Sequence, residues 1–132
     1  MADALIDVVG IGNAIVDVIT QSAENDLARL ELNKGTMTLI DQSSAERLYG
    51  QMGTVIETSG GSAANTLAGI ASLGGTGAYI GKVRDDQLGG VFSHDITASG
   101  GDYRSRAATE GPSTARCLIF VTPDAERTMQ TY

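Results

Sequence analysis

The stretch Ser59-Gly60-Gly61-Ser62-Ala63-Ala64-Asn65-Thr66, continued by Leu67-Ala68-Gly69-Ile70-Ala71-Ser72-Leu73-Gly74-Gly75, leaves the chain few options. Ala64, Leu67, Ala68 and Ala71 recur at the i, i+3, i+4, i+7 spacing of one helix face. Gly74-Gly75 predicts the stop, because glycine tolerates the left-handed residue that follows a helix. At the start, Gly60-Gly61 puts free backbone N–H groups and the positive end of the helix dipole where a ligand can approach without meeting a Cβ. Asn65 follows Gly61 by one helical turn, so its amide comes to the same side of the helix mouth. A backbone donor beside an amide that both donates and accepts suits a vicinal diol. The same residues also fit an ordinary glycine turn opening a core helix packed through small side chains.

The rest of the chain sets bounds. Nine Lys+Arg against 16 Asp+Glu give a net charge of −7, with no basic cluster, which argues against nucleic acid and anionic membrane as partners. Cys117 is the only cysteine, so no internal disulfide is available, and no metal-ligand spacing occurs. Met1-Ala2-Asp3-Ala4 lacks the regions of a signal peptide, and no apolar run approaches the ~18 residues of a membrane helix; a cytoplasmic protein is expected. The length suits one domain, and the 17 glycines fall at element ends, outside any low-complexity tract.

In chain order, Leu5 to Gly12 reads as a short buried strand closed by glycines. Gly10 and Gly12 begin a dinucleotide fingerprint, but Ile15 stands where its third glycine belongs. Asp17 interrupts the apolar residues Ala14-Ile15-Val16 and Val18-Ile19, so its carboxylate either meets hydrogen-bond donors, borders a wet cleft, or caps a helix or turn. Ser22 to Leu32 predicts a short helix, Thr36 to Asp41 a strand, and Ser43-Ser44-Ala45-Glu46 a capping box opening a helix to about Met52. Val55 to Thr58 is a brief strand leading into the glycine motif.

Ala78 to Val83 reads as another core strand. A phosphate-loop reading of Gly81-Lys82 fails, since Thr76 and Val83 stand where glycine and Ser/Thr are required. Asp85-Asp86 predicts a cap for a helix over Gln87 to Ser99 with Leu88, Val91, Phe92 and Ile96 inward and His94 in solvent. A strand is expected around Tyr103 to Ala107. Thr114 to Thr122 is the strongest strand signal; Pro123-Asp124-Ala125-Glu126 turns the chain, and Arg127 to Tyr132 returns as its partner. Cys117 reads as a small buried hydrophobe on that strand.

Three stretches in order, Gly10-Ile11-Gly12-Asn13-Ala14-Ile15-Val16-Asp17, Gly60-Gly61-Ser62-Ala63-Ala64-Asn65 and Gly81-Lys82-Val83-Arg84-Asp85-Asp86-Gln87-Leu88-Gly89, carry more than any one alone. Together they resemble the amino-terminal half of the ribokinase-like (PfkB) carbohydrate kinases, the adenosine-kinase-like branch especially, from about Asp7 to Tyr132. Leu67, where that family commonly has a small residue, and Arg84, where it has glycine, depart from the pattern; relatives also often have glycine at Ala125.

The resemblance implies an α/β fold: a ribokinase-like three-layer α/β/α sheet with a small β lid, of which residues 1–132 form the amino-terminal part. Strands near 16–20, 36–41, 114–122 and 127–132 would make the lid, which places Met37, Ala115 and Cys117 in it. It implies that Asp17 binds two sugar hydroxyls with Gly61 and Asn65, and that Asn13 faces the acceptor. It further implies transfer of the ATP γ-phosphoryl, with Mg²⁺, to a primary hydroxyl of a nucleoside or sugar.

The family's catalytic aspartate lies in a Gly-Ala-Gly-Asp motif far downstream, and that motif is absent from residues 1–132. These residues therefore read as the acceptor-binding half without most of the ATP half, inactive alone, with strand edges that invite self-association. A ribosyl-binding module without catalysis, or an oligomerising fragment, are the other readings. With 5% aromatic residues and no tryptophan, adenosine and a simple sugar are not distinguished as acceptor.

Overall fold

The structure, a computed structural model, describes residues 6–132; Leu5 of the first expected strand and Met1–Ala4 lie outside the described residues. In chain order the first elements are β1 (Val8–Ile11), β2 (Ile15–Gln21), α1 (Glu24–Arg29), β3 (Met37–Leu39), α2 (Gln42–Tyr49) and β4 (Val55–Gly60). Then come α3 (Ser62–Ser72), β5 (Gly77–Ile80), α4 (Gln87–Ala98), β6 (Gly101–Tyr103), β7 (Ala115–Val121) and β8 (Arg127–Thr131). These divide into two compact units, residues 1–16 with 58–114 and residues 17–57 with 115–132. The chain passes from one to the other within β2, within β4 and after Thr114.

The first unit holds a parallel sheet in the order β1-β5-β6. Gly10, Tyr79 and Tyr103 share one row of its register, and this face is the covered one. A Cβ on Gly10 would stand 3.1 Å from Leu67 Cδ1 and one on Gly77 2.8 Å from Leu67 Cδ2, so Leu67 fills the space that two glycines leave. That is how the chain absorbs a large residue where relatives commonly carry a small one. From α4, Phe92 meets Tyr79 and Tyr103 at ring-centroid distances of 5.3 Å and 5.7 Å. The opposite face exposes Val9 (56%) and Ile80 (49%) and lines an open groove of about 870 Å³ with Ala78, Asp102 and Arg104.

α3 ends as its glycines predict: Gly74 takes φ +88°, and the N–H of Gly75 donates to the carbonyl of Ile70. Asp86 caps α4 by accepting from Gly89 N at 2.8 Å. The same carboxylate accepts from Thr114 N (2.9 Å) and from Thr114 Oγ1 (2.7 Å), so it also fastens the last residue of this unit. Arg84 keeps an ordinary backbone and bridges in parallel to Ala108, so the turn after β5 does not need the glycine common at this place. The strand expected around Tyr103 to Ala107 lies earlier, at Gly101–Tyr103. Beyond it the chain is held by loop bonds instead, Ala108 N to the Val83 carbonyl and Asp85 N to the Ala108 carbonyl, both 2.8 Å.

The second unit is built on a five-stranded sheet in the order β3-β8-β7-β2-β4, with β7 and β8 antiparallel and β3 parallel to β8. Along β2 the burial alternates, Val16, Val18 and Thr20 inward and Ile15, Asp17 and Ile19 half-buried. Leu27 of α1 and Ala45 and Leu48 of α2 are buried in this unit, with α2 packed on β7. The cap of α2 is Asp41, whose carboxylate accepts from Ser44 N at 2.7 Å and from Ser43 Oγ at 3.0 Å. The capping box expected at Ser43 is therefore displaced by an aspartate two residues earlier, a stronger acceptor for the free N–H groups. In the β7–β8 turn Ala125 takes φ +66°, the left-handed conformation that explains a glycine preference there.

Candidate functional site

Gly61 is the N-cap of α3, with φ +90° and ψ 147°. Only glycine holds that conformation without strain, and a Cβ would also stand 3.1 Å from both the Asn13 carbonyl oxygen and Ile15 Cγ2. The chain thus needs a glycine so that the start of α3 can lie directly against the backbone of Asn13. No side chain caps α3, whereas Asp41 and Asp86 cap α2 and α4. The first-turn N–H groups of α3 have no capping side chain and are open to an outside acceptor. Asn65 N donates to the Gly61 carbonyl at 2.9 Å, and both Asn13 and Asn65 are exposed. The end of β4 that delivers Gly61 is held by Asp95, whose carboxylate accepts from Ser59 N at 2.9 Å.

In the second unit, Asp17 lies half-buried on β2 beside Ile15 and Ile19 in sequence alternation. Burial pushes its carboxyl above the ordinary value of 3.8, and the nearby Arg127 guanidinium pulls it part of the way back. Cys117 on β7 shares that neighbourhood. Burial raises its thiol, the Thr131 hydroxyl donates to its sulfur at 3.3 Å and opposes the rise, and the charges of Asp17 and Arg127 act on it in opposite directions. A thiol raised in this way is a small hydrophobe and a poor nucleophile. Ala115 opens β7 half-buried, and Met37, 55% exposed, pairs with Met129 on the edge strand β3.

The residues singled out from sequence therefore fall into two sets. Asn13, Gly61 and Asn65 belong to the first unit, where Gly61 and Asn13 touch. Asp17, Met37, Ala115 and Cys117 belong to the second, where the charges of Asp17 and Arg127 both act on Cys117 and that of Arg127 acts on Asp17. Sequence reasoning passed over Arg127, because nothing local to the β7–β8 turn says that its charge acts on Asp17. It also missed the second role of Asp86 on Thr114, which is 28 residues away in the chain.

Chemically, the first set is a backbone donor surface with amides, and the second a desolvated carboxylate beside a cation. Both are groups with which a hydroxyl can hydrogen-bond. Among the described residues no three His, Cys, Asp or Glu side chains converge as a metal site, and no helix is long and apolar enough to cross a membrane.

A family model described as "pfkB family carbohydrate kinase" matches residues 8–132. The solved structure of adenosine kinase from Sinorhizobium meliloti is 53% identical over 98% of this chain, with a TM-score of 0.84. A probable sugar kinase from Rhizobium etli CFN 42 is 50% identical over 96%, also at 0.84. A fructokinase from Escherichia coli is 33% identical over 75 residues, 57% of this chain. The chain spans 39%, 38% and 24% of those three proteins respectively.

Proposed function

This chain belongs to the pfkB family of carbohydrate kinases, and from that premise we propose that it supplies the acceptor-binding part of an ATP-dependent kinase. The reaction is transfer of the γ-phosphoryl of ATP to a primary hydroxyl of adenosine or a related sugar. The observation that carries the reading is Gly61: a positive-φ residue seated on the Asn13 backbone at the uncapped start of α3. It is supported by the two relatives at 50% and 53% identity, one described as a probable sugar kinase and the other as an adenosine kinase.

On this reading Asp17 accepts hydrogen bonds from two ring hydroxyls, the N–H groups at Gly61 and the Asn65 amide hold their oxygens, and Asn13 borders the acceptor. The five-stranded sheet of the second unit, with Met37, Ala115 and Cys117, serves as a lid that keeps water from competing with the acceptor. Catalysis of this kind rests on positioning and on charge stabilisation at the phosphoryl group. ATP supplies the phosphoryl group, and Mg²⁺ on its phosphates offsets their charge. We assign no residue of 6–132 to the nucleotide and none to the catalytic base. The protein acts in the cytoplasm.

Calorimetry of the 132-residue chain with adenosine, ribose and fructose, with and without Mg-ATP, tests the reading. Binding of at least one acceptor without turnover is expected. Phosphorylation of any of them by the purified chain would refute the division of labour proposed here, and absence of all binding would refute the acceptor site. The exposed Val9, Ile11 and Ile80 of the first unit and Met37 and Leu39 of the second favour self-association as a second reading. Sedimentation over a range of concentrations, with and without adenosine, separates it from the first.

A further inference from the structure

Tyr79 stands near the end of β5 with glycines pressed on it from two segments. A Cβ on Gly81 would lie 2.5 Å from Tyr79 Cε1, and one on Gly12 would lie 3.3 Å from Tyr79 Oη. Both glycines leave room for the ring, which Phe92 and Tyr103 hold at centroid distances of 5.3 Å and 5.9 Å. Phenylalanine would satisfy that packing equally well. The hydroxyl is the anomaly. Tyr79 is 2% exposed, and its oxygen has no hydrogen-bond partner among the described residues. Tyr103 in the same cluster donates its hydroxyl to the Gly81 carbonyl at 3.2 Å. An unpaired buried phenol is destabilising relative to the same ring without it, so a tyrosine at this place needs a reason.

Position supplies one. The point where a Gly12 Cβ would stand is 3.3 Å from Tyr79 Oη and 2.8 Å from the Cβ of Ala63, in the first turn of α3. The phenol oxygen thus lies beside Gly12, whose neighbour Asn13 packs its carbonyl against Gly61 at the helix start that no side chain caps. We infer that the Tyr79 hydroxyl is a further binding group of the acceptor site, held for a hydroxyl-bearing ligand seated at the amino end of α3 beside Asn13. The ligand class is a polyol, such as a ribosyl or hexose ring, whose hydroxyls can both donate to a phenol and accept from it. The oxygen is covered in the free chain, so ligand entry shifts the Gly12–Asn13 segment, a movement that the missing side chain of Gly12 permits.

This inference rests on the reading of the α3 start as an acceptor site, and the experiment separates the two. Tyr79→Phe removes one oxygen atom. Thermal midpoints without ligand and calorimetric affinities for adenosine and ribose are measured for both forms of the 132-residue chain. The expected result is a midpoint equal to or a few degrees above that of the parent chain, with affinity for the bound ligand reduced roughly 5- to 10-fold. A midpoint several degrees lower, or a variant that fails to fold, shows that the hydroxyl already has an internal partner and overturns the inference. Unchanged affinity, with the parent chain binding normally, overturns it while leaving the acceptor site in place. A parent chain that binds neither ligand overturns both.

Discussion

The two units offer a hydroxyl group different means of attachment. In the first, the site is made of backbone: a glycine at φ +90°, the free N–H groups of α3 and a carbonyl packed against it. In the second, it is made of a side chain, the half-buried Asp17, whose charge is set by its burial and by Arg127. A backbone approach this close tolerates no added atom, because the contact leaves no room for one. Side-chain sites tolerate change in shape but not in charge. Substitution of Gly61 should therefore act through stability as well as binding, and substitution of Asp17 through binding alone.

The sharpest way to break that comparison is Gly61→Ala. The conformation is reserved for glycine and the new Cβ meets the Asn13 carbonyl, so a loss of about 3 kcal/mol in urea unfolding is expected, together with loss of ligand binding. A variant as stable as the parent would show that the α3 start can move away from Asn13. For the second unit, Asp17→Ala should reduce acceptor affinity roughly 100-fold or more without lowering the unfolding midpoint, because it removes a desolvated charge. Calorimetry beside a thermal melt reads both. Asp86→Ala tests the side chain that most resembles a backbone element: it removes the cap of α4 and both bonds to Thr114, for about 2 kcal/mol of stability.

Acidity sharpens the comparison further. The folded pKa of Asp17 lies above its unfolded value, so this group favours the folded state at low pH, and that contribution is lost as pH rises through the folded pKa. Acceptor binding has the opposite sign, since the carboxylate is the form that accepts hydroxyls. Affinity should therefore rise with pH through a midpoint above 3.8, and Arg127→Ala should move that midpoint higher. A midpoint that ignores Arg127 would remove the cation from the site. The smallest effect belongs to Ala125→Gly, which relieves φ +66° at the β7–β8 turn. Against the extra freedom glycine gives the unfolded chain, a gain of about 0.5 kcal/mol in denaturant unfolding is expected.

Periodicity in the sequence was enough to place most elements, because burial repeats along a single helix or strand. Ala64 and Leu67 face inward on α3, and Leu88, Phe92 and Ile96 do so on α4, as their spacing requires. Where several local signals compete, spacing alone chose wrongly. Ser43 satisfies a capping-box pattern, yet Asp41 takes the cap, and the third strand of the parallel sheet forms at Gly101–Tyr103, where β5 offers a partner. Gly61 was legible as a place of close backbone approach because its meaning is conformational and travels with the residue itself.

What the sequence determined alone is thus the local alphabet: which residues start and stop helices, which face inward, and which glycines cannot be anything else. The tertiary structure decided what each of those residues meets. The charge of Arg127 acting on Asp17, Asp86 holding Thr114, Leu67 filling the space of Gly10 and Gly77, and Tyr79 lying beside Gly12 all join residues far apart in the chain. Such pairs follow from strand register and close packing, which depend on every segment together and leave no trace in the spacing of any one.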